Sequence, residues 1–266
     1  MKTYTLQLKY KKILADTTTP VSMYLKLRDK YPQSMLLESS DYHGNQDIYS
    51  YICCKPIAGI KIDKGLFTEY YPDGATSNQA IEDTNVPNQI AAFVKRFKAD
   101  EKKFPFISSG IFGYTAYDAV RYFEDINIST FETDYRKIPD MQYHIYRFIL
   151  VFNHFNNELT IIENYPEGVE YTDDSSIEEV ESYLNSRNFA SYEFRMADRE
   201  ESNFTDEEFL QVLQKGKDHC RRGDVFQIVL SRRFSRQYIG DDFNVYRSLR
   251  SINPSPYLFY FDYGSF

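Results

Sequence analysis

The chain has 266 residues, 42% of them hydrophobic and 26% charged. That is enough for one large domain or two ordinary ones, and the balance is that of a folded globular protein, not a disordered one. A formal net charge of −8 argues against a nucleic-acid partner, which a basic surface would attract. The longest apolar run, Phe148 to Phe152, falls far short of the roughly 18 residues of a membrane span. The opening MKTYTLQLKYKK lacks the apolar core of a secretory signal.

Residues 3–10 alternate, with Tyr4, Leu6, Leu8 and Tyr10 on one side, which predicts a half-buried strand. Thr19-Pro20 reads as an N-cap with proline at the first helical position; Val21, Tyr24, Leu25 and Arg28 follow at helical spacing, and Pro32 stops the helix. Met35 to Ser40 reads as a strand with a polar end. Ile48–Cys54 and Ile57–Ile62 read as two further strands, then a turn at Asp63-Lys64-Gly65 and a return arm at Leu66–Tyr70. Residues 72–87 read as a polar loop. Ile90, Phe93, Val94 and Phe97 mark an amphipathic helix. Tyr143–Asn153 and Leu159–Asn164 form an antiparallel meander, and Asp173 to Ser176 caps a short acidic helix through Ile177, Val180 and Leu184.

Residues 185–203 are polar and aperiodic, so a junction there divides the chain into 1–195 and 203–266. Beyond it, Thr205 and Glu208 form a capping box, and Phe209, Val212, Leu213, Gly216 and Cys220 make one helical stripe. Arg221 and Arg222 sit in the last turn and Gly223 ends it. A strand is predicted over 225–235, placing Gln227 on one face with Ser231 and Arg233. Asp242 caps a helix through Phe243, Tyr246, Leu249 and Ile252, broken by Asn253-Pro254. Tyr257–Phe261 is the last strand, followed by a turn with no return arm, so the expectation is the N-terminal piece of a longer protein. The pattern is α+β: antiparallel sheets with flanking helices.

Three cysteines with no CxxC spacing imply a reducing, cytoplasmic setting, with Cys53, Cys54 and Cys220 as buried, inert thiols. His43, His144, His154 and His219 show no ligand spacing, so no metal site is read in this chain.

Periodicity names no reaction, but four runs resemble a family. Leu36-Leu37-Glu38-Ser39, Gly113 to Glu124 (GYTAYDAVRYFE), Arg222 to Phe234 (RGDVFQIVLSRRF) and Asn253 to Phe259 (NPSPYLF) are similar, in order, to segments of the large (component I) subunit of anthranilate synthase, a chorismate-utilising enzyme. The resemblance implies that family's fold. It also implies a lyase that converts chorismate and ammonia to anthranilate and pyruvate in tryptophan biosynthesis. Mg2+ is its cofactor, a glutamine amidotransferase subunit is its partner, and L-tryptophan is its feedback inhibitor. The family's Mg2+ ligands and most chorismate contacts match positions beyond Phe266, so the chain alone is expected to be inactive. No nucleic acid and no membrane are implied.

By position, the resemblance makes Leu37, Glu38, Ser39, Asn253, Pro256, Tyr257 and Leu258 the tryptophan site, residues 1–195 the regulatory, tryptophan-binding region, and residues 203–266 the truncated start of the chorismate-binding catalytic domain. The residue types match what such a ligand requires. A free amino acid needs polar partners for its ammonium and carboxylate and an apolar slot for its side chain. Leu258 stands where the family usually has methionine, and Tyr49 stands where some members have lysine. Gln227 matches a lysine that activates water in water-using relatives. An amide cannot act as that base, so Gln227 points to ammonia as the nucleophile. The basic group Arg221, Arg222, Arg232, Arg233 and Arg236 reads either as steering for a dianionic substrate or as helix capping and solvated strand positions. Two other readings stay open: the large subunit of aminodeoxychorismate synthase, and a non-enzymatic tryptophan-binding or partner-docking domain.

Overall fold

The computed structural model describes residues 2–39, 48–82, 85–99, 104–126, 128, 138–171, 173 and 175–266. Ser40, His43 and Asp174, named above, lie outside the described residues. The alternating N-terminus is strand β1 (Tyr4–Leu14), with Tyr4 and Leu6 buried. Helix α1 (Pro20–Leu27) begins where the Thr19 hydroxyl accepts the Ser22 amide at 3.2 Å. Strand β2 (Met35–Ser39) follows.

The two strands expected at 48–54 and 57–62 are one, β3 (Tyr49–Asp63). Its register shifts between Pro56 and Ala58, with Lys55 at φ 61°. Pro56 has no amide hydrogen for the ladder, so the pairing bulges there and resumes. Lys64 (φ 51°) and Gly65 (φ 76°) turn the chain into β4 (Leu66–Tyr70). The expected loop contains a further strand, β5 (Thr76–Ala80), paired with β4. All five of its residues are exposed, so no period-two burial marks it in the sequence. Helix α2 (Val86–Val94) starts four residues before Ile90 and stops short of Phe97, which opens β6 (Phe97–Ala99).

Strand β7 (Phe112–Thr115), a 3-10 turn at Tyr117–Tyr122, β8 (Met141–Asn153), β9 (Glu158–Pro166) and α3 (Ile177–Asn185) come next. Ser176 caps α3 by accepting the Glu179 amide, and Lys26 donates to the Leu184 carbonyl at its other end. The aperiodic stretch after it holds β10 (Phe194–Ser202), followed by α4 (Asp206–Arg222), β11 (Phe234–Gly240), α5 (Phe243–Ile252) and β12 (Tyr257–Phe261). Helix α5 begins after Asp242, whose carbonyl accepts the Tyr246 amide at 3.3 Å, and the Asp241 carboxylate accepts the Phe243 amide at 3.1 Å.

These elements form two compact units, residues 1–190 with 253–266, and residues 191–252. The last segment therefore folds with the N-terminal part. The first unit holds a ten-stranded sheet whose main path runs β12-β2-β3-β8-β9-β1-β6. Long β3 and β8 pair at its centre; β4 joins β3, β5 joins β4 and β7 joins β8 away from the main path. Every pairing is antiparallel except β1 with β6. One core packs Ile60, Ile62, Phe67, Val86 and Phe93 with Tyr122, and another packs Met35, Cys53, Phe112, Tyr146 and Ile149 with Tyr263.

In the second unit β10 pairs antiparallel with β11. The strand predicted over 225–235 is absent from 225 to 233: β10 pairs with β11 from Phe234 onward, and among the described residues no strand pairs with the earlier ones. The segment instead packs Leu230 and Ile228 toward Gly216 of α4, where an added Cβ would lie 2.8 Å from Leu230.

Candidate functional site

Antiparallel pairing of β2 with β12 aligns Ser39 with Tyr257, Glu38 with Leu258 and Leu37 with Phe259. Segments from opposite ends of the sequence thus become neighbours. Directly opposed residues of an antiparallel pair share a face, and successive residues alternate. Leu37, Ser39, Tyr257 and Phe259 therefore lie on one face, which continues into the core around Met35, Tyr51, Cys53 and Phe261. Glu38 and Leu258 lie on the other, with Leu36 and Tyr260, whose ring meets Tyr24 edge-on at 5.8 Å. Glu38 is buried there, 5% exposed. The pleat separates the Glu38 and Ser39 side chains.

The β2–β3 ladder ends at Leu37 with Tyr51. One step further, the Ser39 amide donates to the Ser50 hydroxyl at 3.3 Å, and Ser50 lies 2.7 Å from Nε2 of His154. An amide aimed at β3 cannot also bond β12, so Ser39 and Tyr257 form a pair without ladder bonds. Side chains approach most closely in such pairs, with Cα atoms about 4.5 Å apart. Asn253 and Pro256 lie just before β12, Asn253 exposed, and Tyr257 and Phe259 present exposed rings at 74% and 64%. The corner is a polar strand end beside uncovered aromatic surface.

Gln227 is exposed and belongs to the second unit, whereas the β2–β12 pair belongs to the first. The basic group is largely satisfied locally. Arg221 pairs with Asp218, Arg222 with Asp224 and Arg232 with Asp206, and Arg236 donates to the Ala197 and Asp198 carbonyls. Cys53 and Cys54 are buried, and burial pushes both thiols up; Cys220, expected to be buried, is exposed on α4. Among the described residues no group of three or more His, Cys, Asp or Glu is arranged to hold a metal ion, and no helix is long and apolar enough to cross a membrane.

The GYTAYDAVRYFE run, to which the sequence assigns no chemistry, forms a clasp. Arg121 donates to Asp140 Oδ1 at 2.6 Å and the Tyr122 hydroxyl to Oδ2 at 2.7 Å, while the Gly65 amide donates to that hydroxyl. At Gly113 a Cβ would sit 2.0 Å from the Gln142 carbonyl oxygen, so β7 pairs with β8 there only as glycine. Sequence reading also misses two buried polar groups. Arg147 donates to Glu163 through Nε and Nη2, to Asp173 and to the Ser175 carbonyl. Burial alone would raise the Asp173 carboxyl, but hydrogen bonds from Lys55 and Ser175 outweigh it and hold it at about 2. His144 lies beside Tyr70 and Gln142, and burial lowers it to about 4. Both lie on β8, and Tyr70, Glu163, Asp173 and Ser175, which meet them, come from other stretches of the chain.

The chain belongs to the chorismate binding enzyme family, which matches residues 42–266. Within that family, its relatives include anthranilate synthase component 1 of Lactococcus lactis subsp. lactis, 30% identical over 97% of this chain and 55% of the relative. The Thermus thermophilus protein of the same name is 32% identical over 96% and 53%. The chloroplastic anthranilate synthase alpha subunit 1 of Arabidopsis thaliana is 28% identical over 94% and 47%. The chain spans about half the length of these relatives. The crystal structure of anthranilate synthase component I from Streptococcus pneumoniae shares the fold, with a TM-score of 0.52 at 23% identity over 92% of this chain and 53% of that one.

Proposed function

We propose that the chain is the N-terminal part of an anthranilate synthase component I and that the β2–β12 corner is its tryptophan effector site. The observation that supports this most is the register setting Ser39 beside Tyr257. In this reading the Ser39 hydroxyl bonds the amino acid, and Leu37, Pro256, Tyr257 and Leu258 wall its ring. Asn253 flanks the entry, and the Glu38 carboxylate balances the ammonium. Because Glu38 and Ser39 face opposite ways, the ligand lies at the end of β2, where the ladder to β3 has stopped and both faces are within reach.

The whole protein would aminate chorismate with ammonia, released from glutamine by an amidotransferase partner, and eliminate pyruvate to leave anthranilate. Gln227 marks the position that selects ammonia over water, since an amide takes up no proton near neutral pH and cannot serve as the base that activates water. Mg2+ would be the cofactor of the whole protein; the described residues offer no cluster to hold it. The setting would be the cytoplasm.

The sequence contains no tryptophan, so fluorescence of the ligand itself reports binding cleanly. Wild-type chain binds L-tryptophan saturably, and Ser39→Phe, which fills the slot, weakens it by about ten- to a hundredfold. Equal binding by the two proteins removes Ser39 from the site, and no binding by wild type overturns the effector reading. The purified chain yields no anthranilate from chorismate and ammonia; anthranilate fluorescence above an empty-vector control overturns that part.

A further inference from the structure

We infer that Ser50 and His154 are positioning residues for Ser39: the Ser50 hydroxyl stands in for the ladder partner that the Ser39 amide lacks, and His154 fixes the direction of that hydroxyl. The anchor rests on geometry; its consequence for tryptophan rests on the effector reading above.

In a continuous ladder the amides of Leu37 and Ser39 would both meet backbone carbonyls of β3. The ladder stops at Leu37 with Tyr51, and the Ser39 amide meets a side chain, Ser50 Oγ, at 3.3 Å. Ser50 is 1% exposed, so water gives this oxygen little to exchange with. A hydroxyl has one hydrogen and two lone pairs. With one lone pair taken by the Ser39 amide, the hydroxyl makes its second hydrogen bond with Nε2 of His154 at 2.7 Å, donating or accepting according to the imidazole tautomer, and either way this contact sets its direction.

His154 is itself held. Its amide donates to the Ile48 carbonyl at 3.1 Å, and its ring meets Phe152 edge-on at 4.9 Å. The end of β2 is therefore hung from two side chains, one in β3 and one just past β8. A strand end fixed by side chains depends on residue identity in a way that a backbone ladder does not. Neither Ser50 nor His154 belongs to the segments assigned to the ligand, yet both set where Ser39 sits.

The test pairs deletion with conservative replacement in the full chain: Ser50→Ala against Ser50→Thr, and His154→Leu against His154→Gln. Two readouts are taken, hydrogen exchange at the Ser39 amide by NMR and the L-tryptophan Kd from ligand fluorescence. Both deletions should speed Ser39 exchange about tenfold and weaken tryptophan about tenfold, while Ser50→Thr and His154→Gln keep wild-type values. Amides of Glu158–Pro166 should exchange as in wild type throughout. Unchanged Ser39 exchange in both deletions overturns the anchor. So does acceleration shared equally by Ser39 and β9 that the conservative variants fail to rescue, because that is general destabilisation. Failure of the wild-type chain to bind tryptophan sinks the effector reading alone, and exchange at Ser39 then decides the anchor by itself.

Discussion

The two compact units draw their order from different sources. In the first, β8 has no cap or helix signature of its own, yet every residue from His144 to Phe152 is buried, with β3 on one side and β7 and then β9 on the other. In the second, α4 has a full capping box, three acidic residues in its first turn, basic residues in its last and Gly223 at φ 79°, yet Gly216 is its one buried residue. Phe243 and Tyr246 of α5 are the other buried residues of that unit. Local rules can write an element completely with almost nothing buried beneath it, and burial can hold an element that carries no cap.

Substitutions sharpen this contrast. Arg147→Met should have the largest effect, because it leaves Glu163 buried without its cation; removing one partner of such a pair costs about 3–5 kcal/mol. Urea unfolding followed by far-UV dichroism would read it, and a loss below about 1 kcal/mol would contradict the account of the network.

His144 comes next. Its folded pKa of about 4 lies below the ordinary 6.5, so between those values the unfolded chain binds a proton that the folded chain does not. Stability should therefore fall as pH drops from 6.5 to about 4, by up to about 3 kcal/mol, and His144 should add no further slope below that. The comparison of wild type with His144→Gln across this range should show a shallower slope in the variant.

Thr205→Ala removes half of the α4 capping box and should cost about 1 kcal/mol. Faster amide exchange should appear in α4 while β8 stays protected; acceleration in both would mean the units unfold as one. The smallest effect belongs to Arg195→Ala. Its partner Glu193 is 79% exposed and Arg195 itself 77%, so the urea midpoint should not move measurably.

What the sequence discloses follows the same division. Elements with a side-chain period or a cap are readable: β1 by alternation, α1 by Thr19-Pro20, α4 by Thr205 and Glu208. Strand β5 is exposed at every position, and β10 is exposed at all but Phe194, so neither prints a pattern. The segment 225–233 prints a strand pattern but has no strand beside it among the described residues, since pairing is a property of the partner as much as of the residues. For the site, family resemblance selects the β2 and β12 segments. It does not reveal the pleat that turns Glu38 away from Ser39, because alternation acts on the paired sheet. Ser50 and His154 escape notice because their link to Ser39 spans three separate stretches of chain.

The central claim is that β2 and β12 together receive one amino acid. Hydrogen exchange of the chain with and without saturating L-tryptophan tests it most directly. Added protection should concentrate in Met35–Ser39 and Tyr257–Phe261 and leave Asp206–Arg222 unchanged. Protection confined to α4, or absent from Ser39 and Tyr257 under conditions where tryptophan is bound, would contradict it.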